Sequence, residues 1–409
     1  MSPRSKKKFL TITSIAFLLI GIYILKSCQA QNNKKILIAT SLTGPNAKIG
    51  TNIVQAIQLF LKLHHLENWR LVTMDSQSND RLNAEQTFQL YQKASSHSIL
   101  FGPRGTKASL EFIKLCSQQI SPQNNRFIFL NQVTASPIFN HYFNSLSTFI
   151  SSQNYLAGVL YLLKKKVGTP GRIHILRLKD IPYFEDMVMA LKKEMKKLDL
   201  NQGKEIFFSL QDDRASLNDF LSKNVQENDW LVILDYGPQH YISHQMNPVF
   251  SKALKIFVYG QMPSNQISSQ EKETFLNSLQ VLTWLPHLDY SSQGTINNCH
   301  FSKKFEEAFA HPPDFHAAYI FSTLEADETL RNSTPSPQNR MKQIEQREVK
   351  TIVGTVRWDK EGTRINGFPA LLLIDRNGQK TLYEHDQNTL QWCSDENADT
   401  SIPILPIPK

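Results

Sequence analysis

The residue types that do chemistry are present in this chain, but not at spacings that build a reaction centre. No GxSxG elbow presents a serine, and no HExxH pair offers two histidines to a metal. GxGxxG after the first strand and GxxxxGK[ST] are both absent, so there is no dinucleotide or triphosphate cradle. His64, His65, His300, His311 and His316 are scattered, and read as surface or satisfied structural histidines. The four cysteines, Cys28, Cys116, Cys299 and Cys393, form no CxxC or Cys/His zinc pattern. A Cys299–Cys393 disulfide is one possibility; free, partly buried thiols are another. Nothing pairs a nucleophile with a base, so the chain is read as a non-enzyme without a cofactor. What remains is binding chemistry: polar residues in loops that directly follow short apolar runs, as in Gly102-Pro103-Arg104-Gly105-Thr106.

Those loops need strands and helices to hold them. Ile36 to Ala39, Arg70 to Met74, Ser98 to Phe101 and Phe127 to Leu130 read as buried strands. Helix-period stretches lie between them, with Ile53, Ile57, Phe60 and Leu61 on one face, then Ala84 to Ala94 and Ala108 to Ser117. A second series follows. Tyr155 to Lys166 and Glu185 to Leu198 read as helices, Arg172 to Leu176, Glu205 to Leu210, Trp230 to Leu234, Ile256 to Tyr259 and Leu279 to Trp284 as strands, with a helix over Leu217 to Lys223. Helices are expected over Phe301 to Ala310 and Ala317 to Leu330. The tail, with Gly354 to Trp358, Ala370 to Asp375, the Arg376-Asn377-Gly378 turn and Thr381 to Tyr383, reads as β-structure. The β-loop-α alternation predicts parallel sheets with helices on both faces, and ligands in such sheets bind beyond the carboxyl ends of the strands.

The chain has 409 residues, 45 basic and 36 acidic, for a net charge of +9. Residues 1–27 carry Arg4, Lys6, Lys7, Lys8 and Lys26 and no acid, which leaves 40 basic against 36 acidic elsewhere. The excess is therefore concentrated in the N-terminus and does not argue for nucleic acid. Phe9 to Leu25 is 17 residues without a charge, behind a basic start, as translocation machinery requires. Leu25-Lys26-Ser27-Cys28 resembles a bacterial lipobox, with an atypical Lys26, and would place a lipid on Cys28. An uncleaved anchor or an ordinary cleaved signal is the alternative, since about 17 residues can also span a bilayer. With Cys28 lipidated, three cysteines remain and at most one disulfide forms.

The ordered motifs resemble a family. Leu42-Thr43-Gly44-Pro45 followed by Ile49-Gly50, Ile99-Leu100-Phe101-Gly102-Pro103, Thr134-Ala135-Ser136-Pro137, Lys179 to Phe184, and Gly354-Thr355-Val356-Arg357-Trp358-Asp359-Lys360-Glu361-Gly362 are similar to motifs of type 1 periplasmic-binding-protein-like proteins. The nearest resemblance is to leucine/isoleucine/valine-binding receptors of ABC transporters. It implies two interleaved, doubly wound α/β lobes joined by three crossovers, behind the N-terminal apolar signal or anchor helix. Residues 1–28 would be that signal or anchor, 29–34 a tether, 35–150 and 286–353 lobe one, and 151–285 and 354–409 lobe two. A small ligand would sit in the cleft and close it by hinge motion.

Carried over residue by residue, the resemblance places ligand-carboxylate hydroxyls at Thr106 and Thr134, whose other reading is helix capping. Tyr183 and Tyr236 match lobe-two aromatics, whose other reading is packing. Gln261 stands near the family's acidic partner of the ligand ammonium and lacks its charge, while Arg104 replaces a small residue. Together with Gly105 and Gln132 these complete the expected binding set. Asp75 and Asp235 are the spare carboxylates. These departures favour an anionic or neutral amide ligand, or a cleft that has lost its ligand. The implied partners are a small molecule, an ABC permease or another envelope protein, and a membrane reached through the N-terminal lipid or anchor. The implied place is the extracytoplasmic face of the cell envelope. The competing reading is a ligand-free scaffold, like the outer-membrane activators of penicillin-binding proteins.

Overall fold

The structure, a computed structural model, describes residues 34–95, 98–117, 128–133, 136–179, 181–208, 214–234, 253–258, 275–286, 288–290, 296–334, 336–384, 391–393 and 402–406. The apolar stretch 9–25 and Cys28 lie outside the described residues. Among the described residues no helix is long and apolar enough to cross a membrane.

The first half alternates strictly: β1 (Lys35–Thr40), α1 (Ala47–Leu63), β2 (Arg70–Asp75), α2 (Asp80–Lys93), β3 (Ile99–Phe101), α3 (Thr106–Cys116), β4 (Phe129–Leu130), α4 (Ser136–Asn140) and β5 (Ser145–Leu146). The strands form one parallel sheet in the order β2-β1-β3-β4-β5. Strand alternation divides its side chains between two cores. Ile36 and Ile38 join Ile53, Ile57 and Phe60 of α1 on one face. Leu37 and Ala39 join Ala84, Leu90 and Phe112 of α2 and α3 on the other.

After β5 the chain builds a second sheet: α5 (Val159–Lys166), β6 (Ile173–Leu178), α6 (Pro182–Lys197), β7 (Gln202–Phe208), α7 (Arg214–Asn224), β8 (Trp230–Leu234), β9 (Leu254–Val258) and β10 (Ser278–Leu282). Helix α5 is shorter than the sequence suggests. Gly158 takes φ 74°, a left-handed conformation that separates α5 from the short 3-10 turn at Ser152–Asn154. Strands β7, β6, β8, β9 and β10 run parallel in that spatial order.

The chain then returns to the first sheet through β11 (Leu288–Asp289), α8 (Asn298–Phe309) and α9 (Phe315–Ser333). Helix α9 lies along α1, with Phe60 and Phe321 edge to face at 5.4 Å and His64 Nδ1 2.6 Å from Glu328 Oε2. After α10 (Pro337–Gln343) and the hairpin β12 (Glu348–Thr351) and β13 (Gly354–Arg357), β14 (Ala370–Ile374) and β15 (Lys380–Glu384) extend the second sheet antiparallel, and β17 (Ile404–Pro406) closes its edge. Strand β16 (Gln391–Trp392) pairs with β11, and beside it Cys393 is bonded to Cys299 of α8. The disulfide left open by the sequence is thus formed, and Cys116 is a buried free thiol.

Two segments that connect the sheets are fastened to each other. Trp358, fully buried, donates its indole N–H to Ser147 O at 2.6 Å. Arg364, 5% exposed, donates to Thr148 O at 2.8 Å and to Val353 O at 3.3 Å. Gly362 cannot be another residue here: its φ is 82°, and a Cβ would lie 1.8 Å from Ser145 O. Asp359 Oδ1 accepts from the N–H groups of Glu361 and Thr363 and so shapes the turn. The Trp-Asp-x-x-Gly motif in the sequence forms this junction.

Candidate functional site

The loops beyond β1, β3 and β4 share one end of the first sheet, and side chains tie them together. Asp75, the last residue of β2, accepts from the N–H groups of Leu42 and Thr43 and from the Thr43 hydroxyl at 2.7 Å. Hydrogen bonds from Gln77, then Thr43 and Leu42, hold its carboxyl down at about 2 despite some desolvation. Asp75 is therefore committed to the loop after β1 and is not a spare carboxylate for a ligand. Asn83 bridges the next gap, donating to Ala39 O at 3.1 Å while its Oδ1 accepts from the Arg104 N–H. Gln132 closes the third, its Nε2 donating to Gly102 O at 2.6 Å.

Helix α3 starts at this end. Its cap is Gly105, at φ 86°, and Thr106 is the first helical residue, 5% exposed. The capping role considered for Thr106 is thus taken by Gly105. The helix presents free N–H groups and the positive end of its dipole to the loops. Arg104 is half-buried beside it, and among the described residues its guanidinium has no hydrogen bond or ion pair. Its charge is nevertheless felt. It opposes the burial that raises the carboxyls of Asp80 and Asp314, and it adds to the burial that pushes the His316 imidazole well below the usual histidine range.

Asp314 and His316 reach this place because α9 runs parallel to α1. Asp314 caps α9, its Oδ1 accepting from the Ala317 N–H at 2.8 Å, and it also accepts from Asn52 of α1. His316 is 15% exposed, and its Nδ1 is buried, 3.9 Å from Asp314 Oδ2 and without a hydrogen-bond partner among the described residues. This corrects the expectation that the histidines are all surface or satisfied groups. His64 is satisfied at Nδ1 by Glu328, and His311 Nε2 lies 3.1 Å from Gln55, but His316 Nδ1 has no hydrogen-bond partner among the described residues. Sequence inspection read His316 as structural and missed Asn83 and Asp314. Only the Asp-x-x-Ala helix start at Asp314 was a usable signal.

Tyr183 is the second residue of α6, 7% exposed and packed 4.4 Å from Phe184, at the carboxyl end of β6. Helices α3 and α6, which begin at the carboxyl ends of strands in different sheets, approach within 8 Å between Cα atoms. Arg104, Gly105, Thr106 and Gln132 are thus brought together, with Tyr183 on the other sheet. Thr134, Tyr236, Asp235 and Gln261 lie outside the described residues.

No protein-family profile and no curated protein sequence matches the chain. Solved structures do. The leucine-binding protein LivK from Thermotoga maritima superposes with a TM-score of 0.66 at 15% identity, over 88% of this chain and 99% of that one. A solute-binding protein of an ABC transporter from R. palustris, solved with benzoate, gives 0.63 at 15% identity, over 85% and 94%. The branched-chain amino acid binding protein LivJ from Streptococcus pneumoniae, solved with isoleucine, gives 0.63 at 11% identity, over 85% and 97%. The fold is that of the type 1 periplasmic binding proteins, as the resemblance implied.

Proposed function

We propose that this protein is an extracytoplasmic solute-binding protein of an ABC-type importer, which closes two lobes over a small ligand bearing a carboxylate. Lobe one would comprise 35–150 and 286–353, and lobe two 151–285 and 354–409. The observation that carries the reading is Arg104: a half-buried guanidinium with no hydrogen bond or ion pair among the described residues, beside the N-terminus of α3. Guanidinium and helix dipole both favour an anion at that point. Gly105, Thr106, Gln132 and Thr134 would line the seat from lobe one, and Tyr183, Tyr236 and Gln261 would cover it from lobe two. The fold neighbours solved with isoleucine and with benzoate both carry carboxylate ligands, which supports the class.

Export fits the covalent chemistry. A Cys299–Cys393 bond persists in an oxidising compartment. Cys28 would carry the lipid that tethers the chain, and the closed form would dock on a permease.

The test is a thermal-shift and native mass-spectrometry screen of the full chain against leucine, isoleucine, benzoate, 4-hydroxybenzoate and their amides. A ligand at about 100 times its Kd stabilises the folded state by about 2.7 kcal/mol. The expected result is a shift with carboxylates, abolished in Arg104→Gln. No shift with any of them, together with stable capture of an envelope protein, would instead establish the scaffold reading.

A further inference from the structure

Helices α5 and α6 end side by side, at the pole of the second sheet away from the carboxyl ends of its parallel strands. Each leads into the amino end of a strand, β6 or β7. Lys164 Nζ, in the last turn of α5, donates to the carbonyl of Leu198 just after α6 at 2.7 Å. One turn earlier the Tyr161 N–H meets Glu194 Oε1 at 3.3 Å. Five lysines are thereby brought onto one surface: Lys165 and Lys166 from α5, and Lys193, Lys196 and Lys197 from α6. All five are exposed, and among the described residues none forms an ion pair. Lysine in the last turn of a helix suits its dipole, but two such ends set together repel. The neighbouring acids do not answer that charge. Glu185 and Glu205 are bound to Arg177, and Glu205 also to Lys192. Burial pushes the Glu194 carboxyl up to about 7, so it is only partly ionised at neutral pH. Asp199, just beyond α6, sets one exposed acid against the five lysines. Apolar side chains stand out in the same surface. Met189 of α6 is 64% exposed, Val167 after α5 is 49% and Phe207 of β7 is 46%. Met189, Lys193 and Lys197 repeat every four residues and so share one side of α6. Arg177 joins Phe207 to that side. Its guanidinium lies 4.3 Å from the Phe207 ring centroid and bonds Glu185, one turn before Met189.

We propose that this lysine-rich surface, with Met189, Val167 and Phe207 exposed in it, rests on an anionic lipid surface and lays lobe two against the membrane that holds the N-terminus. The inference rests on the tethered, extracytoplasmic reading above and adds a second membrane contact to it. The side-chain chemistry selects lipid over an acidic protein. Lysine is depleted in protein–protein interfaces. Its flexible, hydrated ammonium suits mobile phosphate headgroups, which need no fixed fork of donors. Exposed apolar side chains among cations suit the boundary between headgroups and acyl chains. Each lysine near an anionic surface strengthens attachment by about fivefold. Such contacts are weak for a free protein and effective for one already held at the surface by a tether. The contact also leaves the carboxyl ends of the strands, where a ligand would bind, uncovered.

The experiment is flotation and lysine footprinting of the full chain on vesicles of phosphatidylcholine, alone or mixed with phosphatidylglycerol. Brief acetylation followed by mass spectrometry reads each amine. The five lysines are expected to react about tenfold more slowly on the anionic vesicles than on the neutral ones. Lys93 and Lys303, exposed on α2 and α8, should react equally on both. The protection should vanish at about 1 M salt, where charges are screened within about 3 Å. With Lys193→Gln and Lys197→Gln together, the remaining three lysines should return close to their rates on neutral vesicles. Equal rates on both vesicles, with the chain floating with both, overturn the contact and leave the tether intact. Flotation with the anionic vesicles alone, with the protection present, supports the contact and overturns the tether. Flotation with neither overturns both. Protection by soluble polyglutamate and not by the anionic vesicles would assign the surface to an acidic protein, and overturns the lipid assignment. The comparison on the unsubstituted chain stands even if the double variant fails to fold.

Discussion

Glu325 should make this protein less stable as pH rises, and replacing it should remove that dependence. It lies in α9, 4% exposed, with Oε2 accepting from the Ile352 N–H at 3.0 Å and Oε1 unpaired among the described residues. Burial pushes its carboxyl up to about 8, with the charge of Glu328 adding to the effect and the Ile352 bond opposing it. The unfolded glutamate titrates near 4.5, so the folded chain retains a proton that the unfolded chain gives up between those values. The contribution is fully present below 4.5 and is lost as pH rises through 8. At about 1.36 kcal/mol per pH unit, about 3 kcal/mol is gone by pH 7 and about 5 kcal/mol above pH 8. Glu325→Gln keeps the shape and a neutral group at every pH. It should match the parent at pH 4.5 and exceed it by about 3 kcal/mol at pH 7, or about 5 °C in Tm for a chain of this size. Calorimetric melting of both proteins from pH 4.5 to 8.5 reads the gap directly. A gap that stays constant across that range would refute the reasoning, because a merely steric effect of the amide has no pH dependence.

Other perturbations have equally definite outcomes. Gly362→Ala drives a Cβ into Ser145 O in a left-handed backbone, and should cost about 3 kcal/mol or more, read as a lowered urea midpoint. The Cys299–Cys393 bridge spans 94 residues, so reducing agent should lower Tm by the equivalent of about 2–5 kcal/mol in the parent and by nothing in the Cys299→Ser, Cys393→Ser pair. Lys255 is 1% exposed in β9, its Nζ has no hydrogen-bond partner among the described residues, and burial holds it down at about 8. Lys255→Met should therefore stabilise the protein by on the order of 3 kcal/mol below pH 8, an advantage that fades between pH 8 and 10.5 as the unfolded lysine also loses its proton. Asp75→Asn should release the loop after β1 and weaken ligand binding, and only the parent should lose stability as pH falls from 3.8 through about 2.

The alternation of strands and helices was legible because each strand of the first sheet except β5 is a short apolar run ended by Gly, Pro or a polar residue. Strand β5, Ser145-Leu146, carries no such signal and among the described residues pairs only with β4. The pairing of β11 with β16 depends on chain segments far apart, and cysteine spacing could not choose a partner for Cys299. The site divides the same way. Arg104, Gly105 and Thr106 stood out because they directly follow a strand. His316 did not, since what makes it unusual is contact with Asp314 under the charge of Arg104, and α9 is brought there only by packing along α1. Asp75 shows the converse: its position at a strand end suggested a ligand, and its hydrogen bonds assign it to the scaffold.

The buried guanidinium of Arg364 has a consequence for tuning. One side chain holds carbonyls of two different connecting segments, Thr148 O and Val353 O, and Gly362 lets the turn approach Ser145 closely enough for it to do so. A lysine cannot span both acceptors with a planar fork. Apparent affinity scales with the fraction of molecules already competent to bind. On the proposed lobe-closure reading, a change at this junction would therefore raise or lower the dissociation constant for every ligand by one common factor, without altering the order in which the protein prefers them.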